Sequence, residues 1–453
     1  MNSRNFSEIT PEIAQLSELC IKNGVINPDL YSKYDVKRGL RDAQGKGVLT
    51  GLTEIGEVKS YTIDDGEIIP CEGKLYYHGV DIEKLVDGFV SDGRFGFEET
   101  TFLLLFGKLP TKEELEKFCS ILSDYRSLPT SFVRDIIMKA PSQDMMNTLA
   151  RSVLTMYAYD ENPDDTSVEN VLRQCLQLIA VFPLLSVYGY QACNHYLHGD
   201  SLFIHTPPKD LSVAETILYT LRADKSYTPL EAKILDTALV VHAEHGGGNN
   251  STFTTHVVSC SGTDTYSTIA ASLGSLKGPR HGGANKKVVQ MFADMKEKIS
   301  DWKNEEEIEK YLQGILDKKE FDKSGLIYGI GHAVYTISDP RTNVLKKLIR
   351  PLAEEKDRID ELELYQRVEK IAPKLLKQKR NRAVSANVDF YSGLIYSMLG
   401  LPIELYTPIF AIARIAGWSA HRVEDILNSG KIIRPAYKNV QKHVEYIPMA
   451  ERE

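Results

Sequence analysis

Leu276-Lys-Gly-Pro-Arg-His-Gly-Gly-Ala-Asn285 is a turn between two runs of helical periodicity, with one histidine, His281, at its tip. Upstream, Ile269 and Leu273 stand four apart among small residues; downstream, Val288, Val289, Phe292 and Met295 recur at helical spacing. The stretch therefore reads as helix, tight turn, helix, and predicts His281 at the start of the second helix. Gly282 and Gly283 let backbone approach a ligand closely, and the free N–H groups of a first turn favour anions and keep an imidazole neutral. A neutral histidine there is a hydrogen-bond donor, although the same residues also fit a turn that only links two helices.

Working outward, the pattern stays helical almost everywhere. Helices are predicted over 82–90, 97–106, 111–125, 131–139, 144–158 and 167–190, and an amphipathic first helix over 8–23 from Ile9, Ile13, Leu16 and Leu19. Thr111, three residues before Glu114, makes a capping box, while Asp160-Glu-Asn-Pro-Asp-Asp165 and Thr206-Pro-Pro208 are breakers. A linker rich in Lys, Arg, Asp and Gly fills 34–47. Only 48–79 reads as strand, in β-branched or aromatic runs broken by Asp64-Asp65-Gly66 and Glu72-Gly73, the pattern of small hairpins. From 296 to 382 the composition shifts to dense Lys and Glu, the solvated helix faces of a smaller unit, and the apolar pattern returns at 390–427. No repeat period supports a solenoid.

The 453 residues, 42% hydrophobic and 26% charged, suffice for a large core and about two or three domains. A net charge of −8 carries no basic footprint, so nucleic acid and anionic membrane are not expected partners, and any anionic ligand has to be met locally. Six cysteines, Cys20, Cys71, Cys119, Cys175, Cys193 and Cys260, lack a Cys-x-x-Cys pair and read as buried free thiols of a reducing compartment. Residues 1–8 hold no apolar signal core, and the most apolar stretch, 178–190, reads as too short to span a bilayer and carries Pro183. The expectation is a cytoplasmic protein.

Four of the eleven histidines fall in glycine-bearing or polar turns: His242 and His245 in Val-His-Ala-Glu-His-Gly-Gly-Gly-Asn-Asn250, His281, and His332 in Ile327-Tyr-Gly-Ile-Gly-His-Ala-Val334. His242 and His245 fit either core or function. A zinc site is disfavoured, since the two are spaced i, i+3 with no cysteine close and no third ligand following. Gly-x-Gly before His332, without a preceding strand and a third glycine, does not make a dinucleotide fingerprint. Asp389, in Asn387-Val-Asp-Phe-Tyr-Ser-Gly393, is either a helix N-cap or an acid whose burial makes it a better base. Arg414 interrupts the apolar run 409–416, where an unpaired guanidinium is costly and calls for an anion.

Taken jointly, these residues resemble the citrate synthase family. The likeness begins at Gly51-Leu-Thr53 and Gly73-Lys-Leu-Tyr-Tyr-His-Gly-Val-Asp-Ile82 and includes Phe97-Glu-Glu99 and Leu104-Leu-Phe-Gly-Lys-Leu-Pro110. It continues through the histidine turns, Asp339-Pro-Arg341 and Asn387-Val-Asp389 to Arg434. The resemblance implies a mainly α, two-domain helical fold with a small N-terminal β-hairpin region. The corresponding division is an N-terminal helix and linker over 1–47, a large helical domain over 48–283 that resumes at 391–453, and a small domain over 284–390. It further implies a homodimer, catalytic roles for His281, His332 and Asp389, and oxaloacetate binding by His245, Arg341, Arg414 and Arg434, the last reaching the partner subunit's cleft. Arg38, Arg41, Tyr328, Gly329 and Gly331 are the implied coenzyme A contacts. Where the family often has arginine, this chain has His78.

The implied reaction condenses acetyl-CoA with oxaloacetate and water to citrate, a step of the tricarboxylic acid cycle; 2-methylcitrate synthase using propionyl-CoA is the near alternative, and a non-catalytic binding paralogue the remote one. One methylene is worth only about 1–3 kcal/mol of discrimination. No metal and no cofactor is expected, because the acyl-CoA is itself a substrate.

Overall fold

The structure, a computed structural model, describes residues 7, 9–42, 46–64, 67–332, 334–380, 384–428 and 431–452. Two compact units emerge, Met1–Leu52 and Thr53–Glu453. In the first, Pro11–Gly24 forms α1, with Thr10 as its cap, and Asp29–Lys33 forms α2. The apolar stripe predicted for the first helix is present, yet Ile13, Leu16 and Leu19 all lie exposed, so α1 buries nothing. A short 3₁₀ turn, Arg38–Leu40, and a bridge between Arg41 and Gly47 occupy the predicted linker, of which 43–45 lie outside the described residues.

The second unit opens with a three-stranded antiparallel sheet, β1 (Gly56–Asp64), β2 (Glu67–Tyr77) and β3 (Val80–Asp81), in the order β1-β2-β3 with Gly56 opposite Tyr77. The predicted turn at Asp65-Gly66 lies outside the described residues. The break expected at Glu72-Gly73 is absent: both residues are interior to β2, and the Gly73 N–H donates to Ser338 Oγ at 3.2 Å. A strand crossing directly over the 335–340 segment needs the small residue for contact, not for turning.

Helices follow: α3 (Ile82–Ser91), α4 (Phe97–Phe106), α5 (Lys112–Tyr125), α6 (Met145–Met156), α7 (Val168–Cys193), α8 (Val213–Leu221) and α9 (Pro229–His242). Then come α10 (Asn250–Ser259), α11 (Thr265–Lys277), α12 (Ala284–Lys298), α13 (Glu305–Leu316), α14 (Pro340–Glu355), α15 (Ile359–Arg380), α16 (Val388–Met398) and α17 (Tyr406–Asn428). The Thr111–Glu114 capping box forms as predicted, with reciprocal bonds of 2.8 and 3.2 Å. The helix predicted over 131–139 reduces to one wide turn, Val133–Ile137, entered from Ser131 at φ +64°.

The core is built on α7 and α17, which pack on each other; α17 also packs on α4, α9 and α10, bringing Trp418 and Arg414 to full burial. The apolar stretch read as too short to span belongs to a longer helical segment, Val168–His198, that passes for a membrane span by length and composition. Here 83% of its most apolar window is buried inside the protein, and α5, α6, α8 and α17 cover it. Pro183 does not end it. All six cysteines are free, but only Cys175 and Cys193 are buried; Cys71, Cys119 and Cys260 are half-buried and Cys20 is exposed.

Candidate active site

The site assembles where five chain segments meet, and each is anchored by a contact remote in sequence. Tyr77 of β2 places its hydroxyl 3.0 Å from Val240 O and 3.2 Å from Glu244 O, fixing the chain where α9 ends. His242, the last residue of α9, is core: its Nδ1–H donates to Ala238 O at 2.7 Å, and burial lowers its pKa to about 3. His245, in the turn that follows, is buried with Nε2 unpartnered among the described residues. Its ring stands edge-on to His332 at 5.3 Å and Tyr335 at 5.5 Å, and burial, followed by the charge of Arg341, keeps it neutral.

His332 is carried by a loop stitched to the segment before α16. Gly331 N–H donates to Ser385 O at 2.7 Å, Asn387 N–H to Gly329 O at 2.9 Å, and Asn387 Nδ2 to Gly331 O at 2.7 Å. Nδ1 of His332 accepts from the backbone of Val334 at 3.0 Å and Tyr335 at 3.2 Å. Burial and Arg341 lower the pKa of His332 to about 4. A neutral ring that accepts twice at Nδ1 carries its proton on Nε2, so Nε2 is a donor. The Nη2 of Arg341, 3.3 Å from that Nε2, is thus a second donor facing the same space, and the pair suits an oxygen between them.

Arg341 is buried in the first turn of α14 and forked onto Asp339, which holds its pKa above the ordinary arginine value despite burial. Arg414 is fully buried on α17; its Nε donates to His242 O at 2.7 Å, while Nη1 and Nη2 have no partner among the described residues. Burial lowers its pKa to about 10. This is the unpaired guanidinium that the apolar run 409–416 announced.

Asp389 is the second residue of α16, and the N-cap reading of it is wrong: the cap is Asn387, whose Oδ1 accepts the Asp389 N–H at 3.0 Å. The carboxyl of Asp389 is therefore not spent on capping the helix. Burial, opposed by Arg341, lifts its pKa to about 6.

His281 lies in the turn ahead of α12, which begins only at Ala284, so it precedes the helix instead of starting it. Its backbone N–H is not free but donates to Gly278 O at 2.8 Å. The ring is neutral all the same, because burial and then Arg414 lower its pKa to about 4. Gly282 serves packing: a Cβ there would collide with Leu276 O and come within 3.0 Å of Thr407 Cγ2. Nε2 of His281 lies 3.1 Å from Ser251 Oγ, whose oxygen accepts from Trp418 Nε1 at 3.2 Å.

Six predicted residues thus converge: His245, His281, His332, Arg341, Asp389 and Arg414. Arg434 does not join them within its own chain; it lies exposed on an extended segment whose Ile433 N–H donates to Cys260 Sγ at 3.3 Å. Tyr328 hydrogen-bonds Asp322 at 2.8 Å and receives Lys287 over its ring at 5.7 Å. Arg38 stacks on Tyr31 at 4.4 Å, and with Arg41 belongs to the N-terminal unit. His78, at φ +43° in the turn between β2 and β3, places Nε2 3.1 Å from Leu104 O. Asp339 and Asn387 stand in the Asp-Pro-Arg and Asn-Val-Asp motifs but carried no role there, and Ser251 and Trp418 were not legible as site residues, since nothing local to Ser251 points to His281. Among the described residues, no three His, Cys, Asp or Glu side chains gather as a metal site.

Neutral histidines, buried arginines and a carboxyl of raised pKa, gathered in a helical fold, suit the chemistry of a condensing enzyme. The chain belongs to the citrate synthase family: residues 44–436 match the family model Citrate synthase, C-terminal domain. It is 34% identical over 386 residues to a citrate synthase of Synechocystis, covering 84% of this chain and 89% of that one. It is also 31% identical over 380 residues to a 2-methylcitrate synthase of Shewanella oneidensis, covering 83% and 92%. Among solved structures, citrate synthase from Pyrobaculum aerophilum superposes with TM-score 0.73 at 29% identity, over 92% of this chain and 95% of that one. The ternary complex of citrate synthase from Thermoplasma acidophilum with carboxymethyl coenzyme A and oxaloacetate gives TM-score 0.74 at 26% identity, over 92% and 99%.

Proposed function

We propose that this chain is a citrate synthase, condensing acetyl-CoA with oxaloacetate and water to citrate and free coenzyme A. The observation that carries this reading is Arg414, a fully buried guanidinium with both terminal nitrogens unpartnered, beside a second buried arginine, two neutral histidines and a carboxyl poised near pH 6. Arg341, Arg414 and His245 would hold the dicarboxylate, and His332 Nε2–H would donate to its ketone oxygen. Asp389 would take a proton from the acetyl methyl group while His281 donates to the thioester oxygen, stabilising the enol that attacks the ketone. Hydrolysis of citryl-CoA completes the turnover. The ligands in the Thermoplasma acidophilum complex support the same substrate pair.

The reading includes a small domain over 284–390 that closes on oxaloacetate and so completes the acyl-CoA site, and a homodimer in which Arg434 enters the partner subunit's cleft. Within the second unit, coenzyme A would be met by Tyr328, Gly329 and Gly331. Propionyl-CoA is the second reading, supported by relatives named 2-methylcitrate synthase at 30–31% identity, only slightly below the 32–34% of relatives named citrate synthase. Release of coenzyme A thiol from acetyl-CoA and from propionyl-CoA, each with oxaloacetate, decides between them by kcat/KM. No release from either returns the chain to a binding role.

A further inference from the structure

Behind the His245 turn lies a buried ionic cluster to which the condensation chemistry assigns no role. Glu244 is fully buried; its Oε1 accepts the Gly246 N–H and lies 3.2 Å from Nε2 of His421, itself fully buried on α17. One turn on, Glu424 brings Oε2 to 3.7 Å from Nδ1 of His421, while its Oε1 accepts the Glu54 N–H at 2.9 Å. From α10, the ring of His256 meets His421 edge-on at 5.0 Å, and its Nδ1 pairs with Asp425 at 2.9 Å. Burial alone would neutralise His421, but Glu244 and then Glu424 outweigh it and hold its pKa at about 9. At neutral pH the ring is a cation.

Arg414, Gly417 and His421 succeed one another at helical spacing on one face of α17. A Cβ at Gly417 would fall onto Glu244 Oε2 and within 2.5 Å of Ala243 O. The Glu244 carboxylate therefore rests on the helix at Gly417, with Arg414 one turn before it and His421 one turn after. Glu244 is the foremost charge acting on Arg414, yet Glu244 Oε2 and Arg414 Nη1 and Nη2 have no hydrogen-bond partner among the described residues. In a site this dry a carboxylate and a guanidinium so placed attract strongly, and they stay unbonded because Glu244 Oε1 is held elsewhere, by the Gly246 N–H and by the ion pair to His421.

We propose that His421 is a positioning residue for oxaloacetate: as a cation it holds Glu244 back from Arg414, leaving both terminal nitrogens of Arg414 free for a substrate carboxylate. The inference rests on the oxaloacetate reading above. Without the cation, Glu244 swings onto Arg414 and competes with substrate, a loss that appears in oxaloacetate binding and not in the acyl-CoA step.

The test is a cycle of H421N, E244Q and the double variant, with coenzyme A release as readout and folding checked by thermal melting. H421N is expected to raise the KM for oxaloacetate on the order of tenfold, one charge-assisted bond's worth, with the KM for acyl-CoA within about threefold. Adding E244Q removes the competitor, so the double variant should match E244Q alone in oxaloacetate KM. An unchanged KM in H421N, or an equal loss from H421N when residue 244 is already glutamine, overturns the proposal. Should H421N fail to fold, because it leaves an uncompensated buried carboxylate, the neutral H421Q takes its place in the same cycle, with the same expected and overturning outcomes. A parent enzyme that releases no coenzyme A in response to oxaloacetate overturns the substrate reading itself, an outcome distinct from an active parent whose variants do not differ.

Discussion

Arg341 and Asp339 form a forked pair, Nε to Oδ1 at 2.9 Å and Nη2 to Oδ2 at 2.7 Å, with both side chains buried. Asp339 does more than neutralise the arginine. Its Oδ1 caps α14 through the Arg341 N–H at 3.0 Å, and its Oδ2 accepts the Val388 N–H at 3.1 Å where α16 begins. One carboxylate thus sets the helix that carries Arg341 against the helix that carries Asp389.

Asp339→Asn should therefore damage stability and site together. Removing one partner of a buried pair leaves the other charge uncompensated, a loss of about 3–5 kcal/mol. Urea unfolding should show a lower midpoint at unchanged slope, and the oxaloacetate KM should rise as Arg341 loses its aim. A midpoint equal to the parent's would mean that Asp339 does not hold the two helices.

Asp389→Asn should abolish turnover by several orders of magnitude yet stabilise the fold at neutral pH. Burial raises the folded-state pKa to about 6, above the unfolded value of about 3.9, so the fold prefers the protonated carboxyl. That preference is fully satisfied below about pH 4 and lost as pH rises through 6, leaving an ionised carboxylate that costs about 1–3 kcal/mol at pH 7. Thermal melts at pH 7 should rank the variant above its parent, and the gap should close towards pH 4. In the parent, kcat/KM for the acyl-CoA should fall as pH drops through 6, because the base must be unprotonated to act.

Ser251→Ala tests the tautomer of His281. The serine hydroxyl has one proton, and Trp418 already donates to its oxygen, so a proton turned onto His281 Nε2 leaves the ring's own proton on Nδ1 as the donor. Its competitor for that proton is Asn249 Oδ1 at 3.0 Å. Loss of the hydroxyl should lower kcat about ten- to a hundredfold while the oxaloacetate KM moves less than about threefold. A fall in oxaloacetate affinity with kcat intact would assign Ser251 to the other substrate.

Arg434, exposed in its own chain, should act in trans. Mixing the inactive variants Asp389→Ala and Arg434→Ala under subunit exchange makes heterodimers with one complete site each, so activity should recover to about a quarter of the parental value for random pairing across a two-fold interface. Verified exchange without recovery would leave Arg434 acting in its own chain or not at all.

Local features could be read along the chain. Helical periodicity placed α3 to α7 within a few residues, and the Thr111 box needed only its own four residues, because backbone satisfaction at a helix end is decided within one turn. Arg414 was legible as a buried cation wanting an anion, since a charge inside an apolar run has no cheap alternative. Tertiary structure alone decided the rest. That Asn387 and not Asp389 caps α16, that β2 runs through Glu72-Gly73, that Cys20 is exposed, and that Ser251 faces His281 all depend on contacts between segments remote along the chain. The pKa values of Asp389, His281 and His332 follow the same logic: burial is the first cause of each, and burial is a property of the assembled core that no residue's neighbours in sequence determine.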